Sequence, residues 1–527
     1  MTYPPSARRL LRYREVVDDW QAFLDANHAP EPTALRIRTP LAEVDDLTGR
    51  LRRQGFELTP VPGLSDYLQV ERGPHSVAQT LEHWTGLFHV QQSVMALPSL
   101  ALAPGPGDRV LDLCSAPGGK TAHLAELMHE QGPLIAVDPK EKRLRGLMSN
   151  IFRLGCTNVL VIASDGRELP GKALFDRVLV DAPCSAEGNY RKQGGRLPER
   201  TREFQVYVTG LQEALLRRGI ELTRPGGSIL YSTCTFAPEE NEAVVQRILD
   251  SSPVTLEDID LDLPHQPGLT RWDGTEYSPD LARAWRVYPH HLNSGGLFMA
   301  RFRKLEDPSS PGIREASRTR GGGADGGSAW SPVPTAFPGE DPIAATTRIG
   351  GALRLLTDEY GISSRVLERF GWMVRKDNIW AQTAGEWPVE HWPDHGGWRV
   401  VSLGLRAFRS AGSGKETPSN QFLGRLAAHL PSPGDPGAGP RHRALTDGEL
   451  SRLLQGDALE DPQLPAGPVV LHHRGTPLGR GMVGRGGLRH EIPSAQARRL
   501  IAILEARGTE HPHSAGAEPG KPGLPST

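Results

Sequence analysis

The stretch RVLDLCSAPGGKTAHLAELM, Arg109 to Met128, decides the fold. It reads as a short apolar strand, a turn carrying Gly118 and Gly119, and a helix. Its APGGKT end imitates a nucleotide-binding P-loop, but that motif needs a glycine at position 114, where this chain has Cys114. Twenty residues after Gly118, Asp138 closes the next apolar run, LIAVD. That spacing suits an α/β unit whose turn lets backbone approach a nucleoside and whose acidic residue accepts bonds from ribose hydroxyls.

Working outward, short β-rich runs at Arg109–Leu113, Leu134–Asp138, Val159–Asp165, Arg177–Asp181 and Ser228–Ser232 alternate with helical stretches. The pattern predicts a parallel sheet covered on both faces. Ligands of such sheets bind outside the carboxyl ends of the strands. FDRVLVDAPCSAEGNYRK, residues 175–192, puts Asp181 and Cys184 there, and RPGGSILYSTCTFAPEENEAVV, residues 224–245, adds Cys234. Two thiols and a carboxylate are expected at one cleft.

At 527 residues the chain exceeds one hydrophobic core and divides into several domains. Four cysteines without a C-x-x-C pair exclude a disulfide framework and give no zinc pattern, so no metal is expected. No apolar run reaches the roughly 18 residues of a membrane span, and the start MTYPPSARRL lacks an apolar signal core. A cytoplasmic protein is expected, without a membrane partner and monomeric. The net charge of −2 gives no global sign of a polyanionic partner. Residues 471–499 are locally basic, with six Arg against one Glu, and Arg474, Arg480, Arg485 and Arg489 are candidate phosphate contacts.

The motifs CSAPGGK, DAPCSAEG and STCTFAPEENEAVV, with GLFHVQQSVMALP upstream and RVYPHHLNSGGLFMARF downstream, resemble the Sun family of RNA cytosine carbon-5 methyltransferases. The resemblance is greatest to the RsmF-type ribosomal RNA enzymes. It implies a Rossmann-like S-adenosylmethionine-dependent α/β domain with a small N-terminal RNA-binding region and C-terminal α+β RNA-binding modules. The cofactor loop would be Cys114, Ser115, Ala116, Pro117, Gly118, Gly119 and Lys120, with Lys120 near the methionine carboxylate. Asp138 would bind ribose hydroxyls, Asp165 the adenine edge, and Asp181 would lie where cofactor and target base meet.

Carbon-5 of cytosine is a poor nucleophile, so a group must first add at carbon-6, and a thiolate suits that task. The resemblance implies Cys234 as that nucleophile and Cys184 as the thiol that assists release. Cys156 reads as core. The substrate it implies is small-subunit ribosomal RNA, with transfer RNA or a catalytically inactive assembly factor as alternatives. Two departures from the family pattern stand out. Ala186 occupies a usual glycine position beside the expected base pocket, and Arg38 replaces a usual asparagine, leaving an RNA-contact role there open.

The expected organisation is an N-terminal RNA-binding region over 1–100, a catalytic domain over 101–304 and a flexible Gly/Pro/Ser-rich linker over 305–343. Beyond these come an α/β module over 344–430, a PUA-like RNA-binding module over 441–506 and a disordered tail over 507–527.

Overall fold

The computed structural model describes residues 7–197, 200–306, 330–388, 399–410, 416–492, 497–498 and 500–501. The expected tail over 507–527 lies outside them. Among them no helix is long and apolar enough to cross a membrane.

The N-terminal region contains α1 (Trp20–His28) and strands β1 (Thr33–Ile37), β2 (Glu57–Val61), β3 (Leu64–Arg72) and β4 (Phe88–Val90). The strands form an antiparallel sheet in the order β2-β3-β1-β4. Two buried arginines at the end of β1 fasten this sheet to its neighbour: Arg36 pairs with Glu126 and Arg38 with Glu130. Arg38 is 3% exposed, so it is an interdomain tie rather than an RNA contact.

The region expected to be catalytic is built on β5 (Val110–Asp112), α2 (Gly119–Leu127), β6 (Leu134–Val137), α3 (Glu141–Arg153), β7 (Val159–Ala163), β8 (Phe175–Asp181), α4 (Arg202–Leu222), β9 (Thr223–Thr233) and α5 (Glu242–Leu249). Strands β7-β6-β5-β8-β9 are parallel neighbours. Their side chains, such as Val159, Leu160, Val161 and Ile162, are fully buried, as expected for a sheet packed on both faces.

The chain then adds β10 (Val254–Glu257), β11 (Gln266–Pro267), β12 (Trp285–Val287) and β13 (Leu297–Lys304), with β13 antiparallel to both β9 and β10. The sheet thus grows to nine strands, and a tenth joins it from beyond residue 330.

Beyond residue 330 lie α6 (Pro342–Tyr360), β14 (Gly371–Arg375), β15 (Asn378–Gln382), β16 (Arg399–Leu403), β17 (Leu405–Ser410) and β18 (Glu416–Pro418). Two findings depart from the expected boundaries. First, β16 pairs antiparallel with β7 and so belongs to the catalytic sheet, although it follows the linker in sequence. Capping that edge hides unpaired backbone groups. Second, of the linker expected over 305–343, residues 307–329 lie outside the described residues, and from Trp330 on the chain is packed: Trp330 is buried, edge-on to Phe175 at 5.6 Å and under the Arg109 guanidinium.

The last unit holds β19 (His442–Leu445), α7 (Asp447–Gln455), β20 (Gly467–His473), β21 (Thr476–Gly484) and β22 (Gly487–His490) in one four-stranded sheet. Trp84 Nε1 of the N-terminal region donates to Leu478 O, 2.8 Å, so the two ends of the chain meet.

Candidate active site

The loop between β5 and α2 starts from Asp112 and turns at Gly118, whose φ of +98° favours glycine. A Cβ there would lie 2.7 Å from Leu147 Cδ1, so the loop packs too closely on α3 for a side chain. Gly118 caps α2 without a side chain, which leaves the first helical N–H groups for a ligand. Residues 114–120, Asp112, Asp181 and Cys234 line a cavity of about 1310 Å³, which Gln91, Gln92 and Met95 close from the N-terminal side.

Asp112 is buried; its Oδ2 accepts from Thr121 Oγ1 at 2.7 Å and its Oδ1 has no partner. Burial pushes this carboxyl up to about 7. Asp138 is also buried. Its Oδ1 accepts the Lys140 N–H at 2.9 Å, while Oδ2 faces Arg143 Nη1 at 3.0 Å in an ion pair without hydrogen-bond alignment. Two buried carboxylates with spare acceptor capacity, beside free N–H groups at a helix start, suit a ligand carrying an ammonium, a carboxylate and a ribose diol.

At the end of β8, Asp181 accepts from Lys120 Nζ at 2.8 Å and from Ser232 Oγ at 2.9 Å. Cys184 and Cys234, from the loops after β8 and β9, bring their Sγ atoms to 3.1 Å. The Cys184 thiol hydrogen-bonds to Cys234 and holds it below the ordinary thiol range, against burial and the Asp181 carboxylate, with a smaller contribution in the same direction from the Lys120 ammonium. The same bond pushes Cys184 well up, with burial adding to it. Of the two thiols, Cys234 is the one these contacts favour as the anion.

The PEEN segment after Cys234 fixes this geometry. Glu240 Oε2 accepts from Ser185 N and Gln212 Nε2, both at 2.9 Å, and the Asn241 side chain bridges Thr233 Oγ1 and Thr235 O.

Among known proteins, residues 99–303 match the family model described as 16S rRNA methyltransferase RsmB/F. The tRNA (cytosine(49)-C(5))-methyltransferase of Pyrococcus abyssi is 30% identical over 299 residues, which cover 56% of this chain and 96% of that protein. This chain belongs to the RsmB/F methyltransferase family. The 25S rRNA (cytosine-C(5))-methyltransferase nop2 of Schizosaccharomyces pombe is 36% identical over 294 residues, 54% of this chain and 48% of that protein. The chain thus spans about half the length of curated relatives of that kind. A solved methyltransferase homologue from Pyrococcus horikoshii is 36% identical with a TM-score of 0.51, covering 58% of this chain and all of that one. These matches support the α/β Rossmann-like fold.

Within this RsmB/F frame, the structure gathers Cys114 to Lys120, Asp181 and Cys234 around one cavity, with Cys184 against Cys234. Asp138 stands just behind, covered by Arg143, which also donates to Ala116 O at 2.6 Å. Asp165 is placed differently: its carboxylate caps a helical turn at Arg167 N and takes two further bonds from the Arg167 guanidinium. Cys114 contributes backbone, since burial pushes its thiol well up, and Cys156 is core.

Ala186 does not line the cavity; it sits at φ +60°, so the methyl group it adds over glycine falls on a left-handed backbone position. Sequence reading passed over Asp112, whose signal is a carboxylate ending an apolar strand, and Asn189, whose amide lies 3.4 Å from Cys234 Sγ. It also missed Ser232 and Met95, which lie inside STCTFAPEENEAVV and GLFHVQQSVMALP but were assigned no role there.

Proposed function

We propose that this protein is an S-adenosylmethionine-dependent RNA methyltransferase that forms 5-methylcytosine in small-subunit ribosomal RNA through a covalent bond from Cys234 to cytosine carbon-6. The carrying observation is the 3.1 Å thiol pair beside Lys120 and Asp181 at the cavity wall. Asp112, the start of α2 and Asp138 would hold the ammonium, carboxylate and ribose of S-adenosylmethionine. When bound, that cofactor supplies an electrophilic methyl group.

The Cys234 thiolate adds to carbon-6 of the cytosine, and the displaced electron pair makes carbon-5 nucleophilic. Asp181 meets the base as an acceptor, held by Lys120 and Ser232, and so suits a hydrogen bond from the exocyclic amino group that holds the base for attack. Once carbon-5 carries its methyl group, water in the open cavity takes the carbon-5 proton, the C–H electron pair restores the carbon-5–carbon-6 double bond, and the carbon–sulfur bond breaks with its electron pair returning to Cys234. Cys184 donates its S–H to the departing thiolate, which accounts for two thiols in contact.

The N-terminal region closes one side of the cavity, and the PUA-like module meets it through Trp84, so both can hold the RNA strand around the extracted base. The protein would act as a cytoplasmic monomer. A transfer RNA substrate is the second reading, favoured by the relative from Pyrococcus abyssi that aligns over 96% of its own length. Bisulfite sequencing of total RNA from cells with and without the gene separates them. Loss of a 5-methylcytosine in small-subunit ribosomal RNA supports the first reading, loss in transfer RNA the second, and loss of neither refutes both.

A further inference from the structure

Asn189 lies just beyond the DAPCSAEG motif, and its Nδ2 is 3.4 Å from Cys234 Sγ. Among the described residues that amide nitrogen has no other hydrogen-bond partner. The segment carrying it is clamped from both sides. Ala186 turns the chain at positive φ, and Asn189 N donates back to Ala186 O at 3.1 Å. Gly188 N donates to Cys234 O and Gly296 N to Gly188 O, both at 2.9 Å, and a Cβ on Gly188 would meet Gly296 O at 2.3 Å. On the other side Tyr190 is buried, and Arg191 reaches Ala29 O, Pro30 O, Asn293 Oδ1 and Ser294 O. The amide is therefore held in register with Cys234 by backbone it cannot leave.

An amide N–H can only donate, and a donor fixed on a sulfur favours the anion over the thiol. Cys184 must share its proton with Cys234 during the cycle, whereas Asn189 keeps both of its own. We infer that Asn189 is a positioning residue that stabilises and aims the Cys234 thiolate. The inference rests on the reading of Cys234 as nucleophile.

The test is alkylation of the full-length protein by iodoacetamide as a function of pH, quantified on the Cys234 peptide by mass spectrometry with the Cys114 and Cys156 peptides as internal references. Asn189→Leu should move the Cys234 midpoint up by about one pH unit, the loss of one hydrogen bond to a charged group. Asn189→Asp keeps the shape but replaces the donor with a negative acceptor, and should move it further. With RNA, kcat should fall about tenfold at neutral pH and recover as pH rises, with KM for RNA unchanged.

Midpoints equal to wild type in both variants overturn the inference, as does an Asp variant matching wild type while the Leu variant alone is impaired, which is the mark of packing. S-adenosylhomocysteine binding checks folding; should the Leu variant not fold, the isosteric Asp variant decides alone. The nucleophile reading fails separately: an RNA-linked peptide carrying a cysteine other than Cys234 refutes it, whatever the alkylation profile shows.

Discussion

Cys184 and Cys234 are 50 residues apart in sequence and 3.1 Å apart in space. The arginines of the basic stretch 471–499 are close in sequence, yet the fold separates their roles. Arg474 is held by Asp447 from α7, and Arg480 pairs with Glu491 and donates to Pro418 O at 2.6 Å. Arg485 and Arg489 are exposed and carry no carboxylate partner among the described residues. Residues fixed to strand ends of one parallel sheet converge because topology leaves them nowhere else to go. A local count of charges ignores partners that arrive from other elements.

The largest effect expected from this contrast lies in the cofactor cleft. Asp138→Ala should weaken S-adenosylhomocysteine binding by about 1.5–3 kcal/mol, the worth of bonds to a charged acceptor, measured by calorimetry. Asp165→Ala should cost clearly less, since that carboxylate is already spent on Arg167. Equal losses would return Asp165 to the adenine edge.

Asp112 gives a pH signature. Burial raises its folded-state value to about 7, above the unfolded value of about 3.9, so it favours the folded state at low pH and loses that contribution as pH rises toward 7. A ligand ammonium favours the carboxylate, so affinity for S-adenosylhomocysteine should climb by up to about tenfold per pH unit below 7 and then level off. Asp112→Asn should flatten that climb and stabilise the free protein above pH 7, readable as a higher Tm.

In the basic stretch, Arg480→Ala should lower stability by about 1–2 kcal/mol, because it strands a partly buried carboxylate and a carbonyl. Arg485→Ala and Arg489→Ala should leave stability alone and each flatten the salt dependence of RNA binding by a slope of about 0.7–0.9. A flattened slope for Arg480→Ala would show that its pairing with Glu491 opens on RNA. Smallest is Ala186→Gly, which should raise stability by about 0.5–1 kcal/mol by relieving the left-handed backbone, seen as a higher urea midpoint.

The central strands were legible because buried parallel strands write near-continuous apolar runs, and Cys184, Cys234 and Asp181 because motifs placed them at strand ends. The addition of β16 to the catalytic sheet was not legible. RVVSL looks like any short strand, and its partner β7 lies more than 200 residues earlier. Arg38 was equally opaque, since an arginine in a strand reads as exposed until Glu130 is known to meet it. Asn189 carried no signal of its own, because its importance comes from the turn at Ala186 and the clamp at Gly188.

The division of labour between the two thiols is tested most directly on a denaturing gel. Purified Cys184→Ala, incubated with its RNA and S-adenosylmethionine, should accumulate a slow-migrating protein–RNA band whose linked peptide contains Cys234. Cys234→Ala should give no band and no turnover while still binding S-adenosylhomocysteine. A band formed by Cys234→Ala and absent from Cys184→Ala would contradict the assignment and exchange the two roles.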